Sequence, residues 1–154
     1  MSQLTAPSGW VAGRAHFFPI RVYFEDTDAG GVVYHATYLR YAERARTEFL
    51  RAIGVPHQEL MQQEGLVFVV RSASVEYHRP ARLDDSLLVA SRVAALGGAS
   101  VMLDQRVLAG DITLAGLRIG LVATDLSAGK ARRIPLRWRE AFAALLEKEE
   151  GAGN

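Results

Sequence analysis

Hydrophobic and polar positions along the chain recur with two different periods, which separate predicted strands from predicted helices. Over residues 17–25 apolar and polar residues alternate, and this pattern predicts a strand. One face of that strand carries Phe18, Ile20, Val22 and Phe24. From His35 to Ile53 apolar residues recur at three- and four-residue spacings, which predicts one long amphipathic helix. Gly54 and Pro56 then provide the usual signals for the end of a helix.

The rest of the chain has the pattern of long antiparallel strands, with a short helix before them and an amphipathic helix after them. The strands are predicted at Leu66–His78, Leu87–Leu96, Ser100–Ala109 and Ile112–Thr124, and the helices at His57–Glu64 and Pro135–Glu149. Gly97-Gly98 and Gly110-Asp111 are hairpin signals between neighbouring strands. At about 3.3 Å per residue such strands are at least as long as the central helix, which rises about 1.5 Å per residue. The sequence therefore predicts an α+β fold, a curved antiparallel sheet of about five strands wrapped around one long helix.

The same patterns predict one domain and more than one subunit. Residues 1–15 mix Pro, Gly, Ser and Ala and are interpreted as a flexible N-terminal leader, so the single domain is predicted over residues 16–150. In the strands at 66–78 and 112–124 apolar residues occur on both faces. One helix covers only one face of a sheet, so we expect the other face to pack on a second copy of the chain.

Composition narrows the classes of function. The chain has 154 residues with 18 Lys and Arg against 17 Asp and Glu, a near-neutral balance that gives no general attraction for nucleic acid or anionic membranes. There is no cysteine, which excludes disulfides, thiol nucleophiles and cysteine-ligated metals and fits a reducing cytoplasm. The longest apolar run, residues 66–70, is far shorter than a transmembrane segment. No histidine spacing predicts a metal site.

Candidate chemistry is concentrated in the loop before the long helix. Glu25, Asp26 and Asp28 lie within four positions, and Gly30 and Gly31 allow a ligand to approach the backbone closely. The first N–H groups of the helix can stabilise an oxyanion, and a loop carboxylate can attack a carbonyl carbon or deprotonate a water that does. These parts suit acyl transfer. Ordinary turn and cap chemistry explains the same residues, and both interpretations stay open at this point.

Histidine and tyrosine side chains near the helix start are further candidates. His35 is interpreted as an acid–base group, a substrate-orienting donor or a polar residue of the helix start. Tyr34 and Tyr38 either line a pocket or belong to the core, because tyrosines at helical spacing are often buried. No G-x-S-x-G motif predicts a serine nucleophile.

Two segments make the sequence recognisable. The run RVYFEDTDAGGVVYHATYLRYAERARTEFLRAIG and the later block LVFVVRSASVEYHRPARLDD resemble the signature of the YbgC-type (Tol–Pal-associated) acyl-CoA thioesterases, in the 4-hydroxybenzoyl-CoA thioesterase branch of the hotdog superfamily. The resemblance implies the hotdog fold and homodimers or homotetramers with active sites at the subunit interface. It implies that Asp28 is the catalytic carboxylate and that His35 provides the donor to the thioester carbonyl, through its backbone N–H with the imidazole as a second contributor. No cofactor is implied, because coenzyme A is part of the substrate.

This sequence departs from the family pattern in two places. Phe24 stands where some relatives carry a tyrosine, so any role of that hydroxyl is lost. The stretch LGGASV lacks the basic cluster that a relative uses for the phosphates of coenzyme A, and Arg79 or Arg82 is the predicted substitute. Gly31, Tyr34 and Tyr38 complete the predicted substrate-binding set. The alternatives are a hotdog hydratase acting on enoyl or hydroxyacyl thioesters, and a non-catalytic acyl-thioester binding or scaffold protein that contacts acyl carrier protein.

Overall fold

The computed structural model describes residues 4–146 and contains six strands and three α-helices. The strands are β1 (Trp10–Ala12), β2 (Ala15–Arg21), β3 (Leu66–Tyr77), β4 (Ser86–Leu96), β5 (Ser100–Ala109) and β6 (Ile112–Asp125). The helices are α1 (Thr37–Ala52), α2 (His57–Glu64) and α3 (Leu136–Leu145), with a short 3-10 helix at Phe24–Asp26. Strands β3 to β6 and helix α2 follow the predicted boundaries to within one residue. Residues 147–149 of the predicted last helix lie outside the described part of the chain.

All six strands form one antiparallel sheet in the order β1-β2-β4-β5-β6-β3. The hairpins predicted from the glycine turns are present, because β4 pairs with β5 and β5 with β6. Strand β3 pairs with β6 on one side only, and among residues 4–146 no strand lies on its other side. This places β3 at the edge of the sheet, although it is one of the longest strands.

Helix α1 supplies the centre of the core. Its predicted apolar stripe is buried, with Tyr41, Ala42, Ala45 and Phe49 removed completely from solvent. This stripe packs in one cluster with buried residues of all the long strands, including Val89, Leu103 and Leu117. Burial of a continuous apolar surface stabilises this arrangement. The predicted α+β architecture, a sheet wrapped around one long helix, is confirmed.

The start of the domain differs from the prediction. Strand β1 pairs with β2 so that Trp10 lies opposite Phe17, and their rings stack at 5.9 Å between centroids. The ring of His16 also holds this segment through a 2.7 Å hydrogen bond between Nε2 and the carbonyl oxygen of Ser8. Residues 10–15 therefore belong to the sheet and not to a leader, which raises the strand number from the expected five to six.

The first predicted strand also ends earlier than its alternating pattern indicates. Strand β2 stops at Arg21, so Phe24 lies beyond the strand, where it is 82% exposed. The reason is the carboxylate of Asp26, which accepts a 2.8 Å hydrogen bond from the backbone N–H of Tyr23 and so turns the chain into the 3-10 helix. The alternating apolar pattern continues to Phe24, but the side chain of Asp26 redirects the backbone before that residue.

One face of β3 lacks a covering layer in the single chain. Val70, Ala73 and Tyr77 pair directly with the buried β6 residues Leu121, Ile119 and Ala115, so they lie on the side of the sheet that faces α1. Nevertheless Val70 is 46% exposed, Tyr77 is 49% exposed, and Ala73 is exposed as well. The core side of the sheet thus continues to an open edge with apolar side chains in solvent.

Within residues 4–146 no helix combines the length and the apolar character needed to cross a membrane.

Candidate functional site

The loop between β2 and α1 is a tight hairpin built around Asp28. The backbone N–H of Asp28 donates to the carbonyl oxygen of Val32 at 2.9 Å, and Gly31 N–H donates back to the carbonyl oxygen of Asp28 at 3.0 Å. Gly31 adopts a φ of +79°, a left-handed conformation that glycine takes without strain. Val33 N–H donates to the carbonyl oxygen of Ala81 at 2.8 Å, which fastens the hairpin to the segment after β3. The position of Asp28 is therefore fixed by the backbone.

The three carboxylates of this loop have different environments. Asp26 is only 7% exposed, and it anchors the backbone of Tyr23 through its side chain and the N–H of Tyr34 through its carbonyl oxygen. Asp28 is exposed, and one of its oxygens, Oδ1, accepts a 2.8 Å hydrogen bond from Gly30 N–H. Its Oδ2 has no hydrogen-bond partner within residues 4–146. Glu25 is exposed. Asp26 is structural, whereas Asp28 holds a fixed carboxylate with one oxygen open to a ligand.

The N-terminus of α1 offers unpaired donors. The helix begins at Thr37, two residues later than predicted, so His35 lies just before the helix and Ala36 occupies the cap position. The side chain of Ala36 cannot cap, and within residues 4–146 the backbone N–H groups of His35 and Ala36 have no hydrogen-bond partner. Unpaired N–H groups at the positive end of a helix dipole favour a nearby negative charge.

An open cleft of about 270 Å³ lies beside these donors. It is lined by Val33, His35, Tyr38, Tyr77, His78, Arg79 and Pro80, and we call it the His35 cleft. The ring of His35 packs against Tyr34 at 4.4 Å between centroids and meets the edge of Tyr77 at 6.4 Å. The cleft thus combines aromatic walls with the free N–H groups of the helix start.

Tyr77 and Tyr38 order this cleft through their hydroxyl groups. The hydroxyl of Tyr77 donates to the carbonyl oxygen of His35 at 2.8 Å and so fixes the peptide next to the free donors. The hydroxyl of Tyr38 accepts from Ala81 N–H at 3.2 Å. Burial raises the pKa of Tyr38, with the Ala81 hydrogen bond opposing it, so this hydroxyl stays protonated near neutral pH.

The structure assembles part of the predicted site. His35, Tyr38 and Arg79 line the His35 cleft. The other four predicted residues, Asp28, Gly31, Tyr34 and Arg82, lie outside its lining, although Tyr34 packs on His35 and the backbone of Arg82 forms a bridge with Val32 of the hairpin.

Sequence reasoning missed Tyr77, His78 and Pro80. Tyr77 and His35 are 42 residues apart in the sequence, and no local pattern links them. The available signal was the resemblance of the block that contains VEYHRPARLDD, which continues the family signature beyond the loop.

Comparison with known proteins identifies the family of this chain. The family model described as the thioesterase superfamily (4HBT) matches residues 30–115, which include α1, the residues of the His35 cleft and the hairpin from Gly30 onward, but not Asp28. The chain belongs to the thioesterase superfamily.

Named relatives of this superfamily cover most of the chain. The chain is 42% identical over 125 residues to the acyl-CoA thioesterase YbgC of Haemophilus influenzae, which covers 81% of this chain and 92% of that protein. It is 45% identical over 119 residues to the acyl-CoA thioester hydrolase YbgC of Escherichia coli, which covers 77% of this chain and 88% of that protein. The YbgC-type resemblance is confirmed, and the chain is a member of a family of thioester hydrolases.

Solved structures support the fold assignment. A probable thioesterase from Bartonella henselae superposes with a TM-score of 0.75 at 39% identity and covers 79% of this chain and 99% of that chain. A 1,4-dihydroxy-2-naphthoyl-CoA thioesterase from Synechocystis superposes with a TM-score of 0.78 over 84% of this chain and 96% of that chain, and its 23% identity is informative for the fold alone. The predicted hotdog fold is confirmed.

Proposed function

We propose that this thioesterase hydrolyses acyl-CoA to a free acid and coenzyme A. The observation that carries the proposal is the pair of unpaired backbone donors at the start of α1, His35 and Ala36, beside an aromatic cleft, with the fixed carboxylate of Asp28 in the loop that precedes them. The names of the YbgC relatives support acyl-CoA as the substrate. The lack of cysteine fits the expected cytoplasmic location, where acyl-CoA is available.

In the proposed reaction the thioester carbonyl lies at the start of α1. Its oxygen accepts from His35 N–H, which stabilises the negative charge that develops when the carbonyl carbon becomes tetrahedral. The carboxylate of Asp28 drives the attack, either by taking a proton from water or by forming an anhydride that water then opens. The C–S bond breaks, and the sulfur of coenzyme A leaves as a thiolate and takes up a proton.

The proposed active unit is a homodimer. The apolar edge of β3, which carries Tyr77 of the His35 cleft, is open, so a single chain leaves both the cleft and the sheet uncovered on this side. A second copy that pairs its β3 with this edge would cover Val70, Ala73 and Tyr77. Two such dimers would give the tetramer that the family resemblance implies.

The predicted contacts with the phosphates of coenzyme A remain part of the proposal. Arg79 lines the His35 cleft, and Arg82 lies on the segment that is bridged to the Asp28 hairpin. Both side chains are exposed, so either guanidinium can reach a phosphate outside the cleft.

The test is release of free thiol by the purified protein from a panel of acyl-CoA esters, short and long, aliphatic and aromatic, with acyl carrier protein thioesters as a second arm. We expect coenzyme A and the free acid as products. Conversion of an enoyl ester to a hydroxyacyl ester with no free thiol would favour the hydratase. Binding of the esters without any turnover would favour the non-catalytic protein. Turnover of carrier-protein thioesters alone would replace acyl-CoA as the substrate.

The role of Tyr77 gives a smaller, specific prediction. The variant Tyr77→Phe keeps the aromatic wall of the cleft but removes the hydrogen bond to the carbonyl oxygen of His35. Loss of one such bond is worth about 0.5–1.5 kcal/mol, so we expect kcat/KM for acyl-CoA to fall about two- to tenfold. The control is Tyr23→Phe, a change to an exposed tyrosine outside the cleft. Equal activities of the two variants would show that the Tyr77 hydroxyl does not order the site.

A further inference from the structure

A second cleft, of about 350 Å³, lies between α1, α2 and the beginning of β3. We call it the Arg46 cleft. Most of its wall is apolar, with Met61 from α2, Phe68 and Val70 from β3, and Leu121 from β6. The polar groups come mainly from α1, where Glu43 and Arg46 face the cleft. An apolar cleft with a few fixed polar groups is typical of a small-molecule site.

Arg46 is held in this cleft by a buried polar chain. It is only 9% exposed, and its Nη1 donates to Oε1 of Gln105 at 3.1 Å. Gln105, which is fully buried on β5, uses its Nε2 to donate to the carbonyl oxygen of Ala42 at 3.0 Å and to Oγ of Ser91 at 2.9 Å. Every hydrogen-bonding atom of the Gln105 amide is therefore engaged, which fixes its orientation. Gln105 is thus suited to position the guanidinium.

Most N–H groups of the Arg46 guanidinium make no hydrogen bond to residues 4–146. Within residues 4–146 the bond to Gln105 is its single hydrogen bond, and no carboxylate lies at ion-pair distance. Burial lowers the pKa of Arg46 and the charge of Glu43 opposes that shift, but an arginine remains protonated in either case. The unused N–H groups face the open cleft, where an oxygen acceptor that enters it can replace water and form a charge-assisted hydrogen bond.

The position of the cleft along β3 connects it with the proposed active site. The His35 cleft contains Tyr77, at the end of β3, and the Arg46 cleft contains Val70 and Val67, near its beginning. A two-fold pairing through the open edge makes the two β3 strands antiparallel and keeps both α1 helices on the same side of the joined sheet. The beginning of β3 in one copy then lies beside the end of β3 in the other. The Arg46 cleft of one subunit thereby adjoins the His35 cleft of its partner.

On this basis we propose that Arg46, oriented by Gln105, selects acyl groups that carry an oxygen acceptor at the end remote from the thioester, and that it does so in the active site of the partner subunit. This inference rests on the proposed acyl-CoA hydrolysis. The apolar walls contact the hydrocarbon part of the acyl group, and Arg46 binds a terminal hydroxyl or carboxylate. Glu43 lines the same cleft, repels a carboxylate and can accept from a hydroxyl, so the hydroxyl is the better fit.

The first test compares substrates on one enzyme preparation. Butanoyl-, hexanoyl- and octanoyl-CoA are each paired with their terminal-hydroxyl and terminal-carboxyl counterparts, and kcat/KM is measured for wild type and for Arg46→Met. We expect wild type to prefer the hydroxyl member of at least one pair. Arg46→Met should lower that preference about tenfold or more, the size expected for one lost hydrogen bond to a charged group. A ratio of two substrates does not depend on how much of the variant is folded.

The control is Arg51→Met on the same helix, because the Arg51 guanidinium pairs with Glu48 at 2.8 Å outside the Arg46 cleft and should leave the preference unchanged. A preference that is absent in wild type, or that survives in Arg46→Met, overturns the inference while acyl-CoA hydrolysis stands. A larger loss for the carboxyl pair than for the hydroxyl pair would identify the carboxylate as the ligand. Release of coenzyme A from no ester at all would instead overturn the proposed function.

Mixed dimers test the contribution of the partner subunit. A dimer purified with one Asp28→Asn chain and one Arg46→Met chain has a single intact Asp28, on the chain that lacks Arg46. If Arg46 acts across the interface, that site receives Arg46 from the Asp28→Asn chain, and the mixed dimer shows the wild-type preference. If the mixed dimer shows the preference of the Arg46→Met homodimer, Arg46 acts within its own chain and the shared-site arrangement is wrong.

Discussion

The variant Asp28→Asn is expected to lose about 10²- to 10⁴-fold in kcat for acyl-CoA hydrolysis, the range typical of a removed general base. Asparagine keeps the size of the side chain, and its amide oxygen can still accept the hydrogen bond from Gly30 N–H that orients Asp28. It removes the negative charge and the basicity of the group. Because the turn is retained, substrate affinity should change far less than kcat.

Glu25→Gln is the matched control for this prediction. Glu25 is an exposed carboxylate of the same loop, three positions before Asp28, and it makes no hydrogen bond within residues 4–146. Its replacement removes the same charge and should leave kcat within about twofold of wild type, because exposed charges in water interact weakly. Equal losses in both variants would indicate a general electrostatic effect of the loop. Near-normal kcat in Asp28→Asn on every ester would remove Asp28 from the mechanism.

The second large effect is expected at the open edge of β3. Ala73→Asp places a carboxylate in the middle of the strand, on the exposed apolar face next to α1. In a two-fold pair of β3 strands the two new charges lie close together and near apolar surface, so they repel each other and lose hydration. We expect the variant to elute as a monomer in size-exclusion chromatography with light scattering and to lose most of its thioesterase activity.

Ser74→Asp provides the control for the edge variant. Ser74 is the next residue of β3, and its side chain lies on the opposite face of the sheet, where it pairs with the exposed Arg118. The same charge is hydrated there, so the dimer and its activity should persist. A folded, fully active Ala73→Asp monomer would show that the site is complete within one chain.

Local patterns were sufficient for most of the fold. The apolar stripe of α1 and the glycine turns predicted the helix and the hairpins because each depends on neighbours within a few positions. Phe24 was placed wrongly because the Asp26 carboxylate interrupts the strand, and the pattern of apolar residues does not report a side-chain hydrogen bond to the backbone. Strand β1 was missed because its pairing with β2, and not its own composition, makes it a strand.

Only the part of the candidate site that lies in one loop could be predicted from the sequence. Asp28 and His35 lie seven positions apart in one loop, and the roles proposed for them rest on the loop chemistry together with the family resemblance. The contacts of Tyr77 with His35 and of Gln105 with Arg46 join residues 42 and 59 positions apart, and they exist only after the sheet has closed on the helix. Long-range pairs of this kind leave no periodic signal in a single sequence.

The most direct measurement is a crystal structure of the Asp28→Asn variant soaked with an acyl-CoA. The variant should hydrolyse this ester so slowly that the intact thioester stays bound during data collection. We predict a bound thioester whose carbonyl oxygen lies within hydrogen-bond distance of the backbone N–H of His35, with the side chain of residue 28 facing the carbonyl carbon. A bound thioester whose carbonyl oxygen lies away from the start of α1, or a residue 28 directed away from the carbonyl carbon in both subunits, would contradict it.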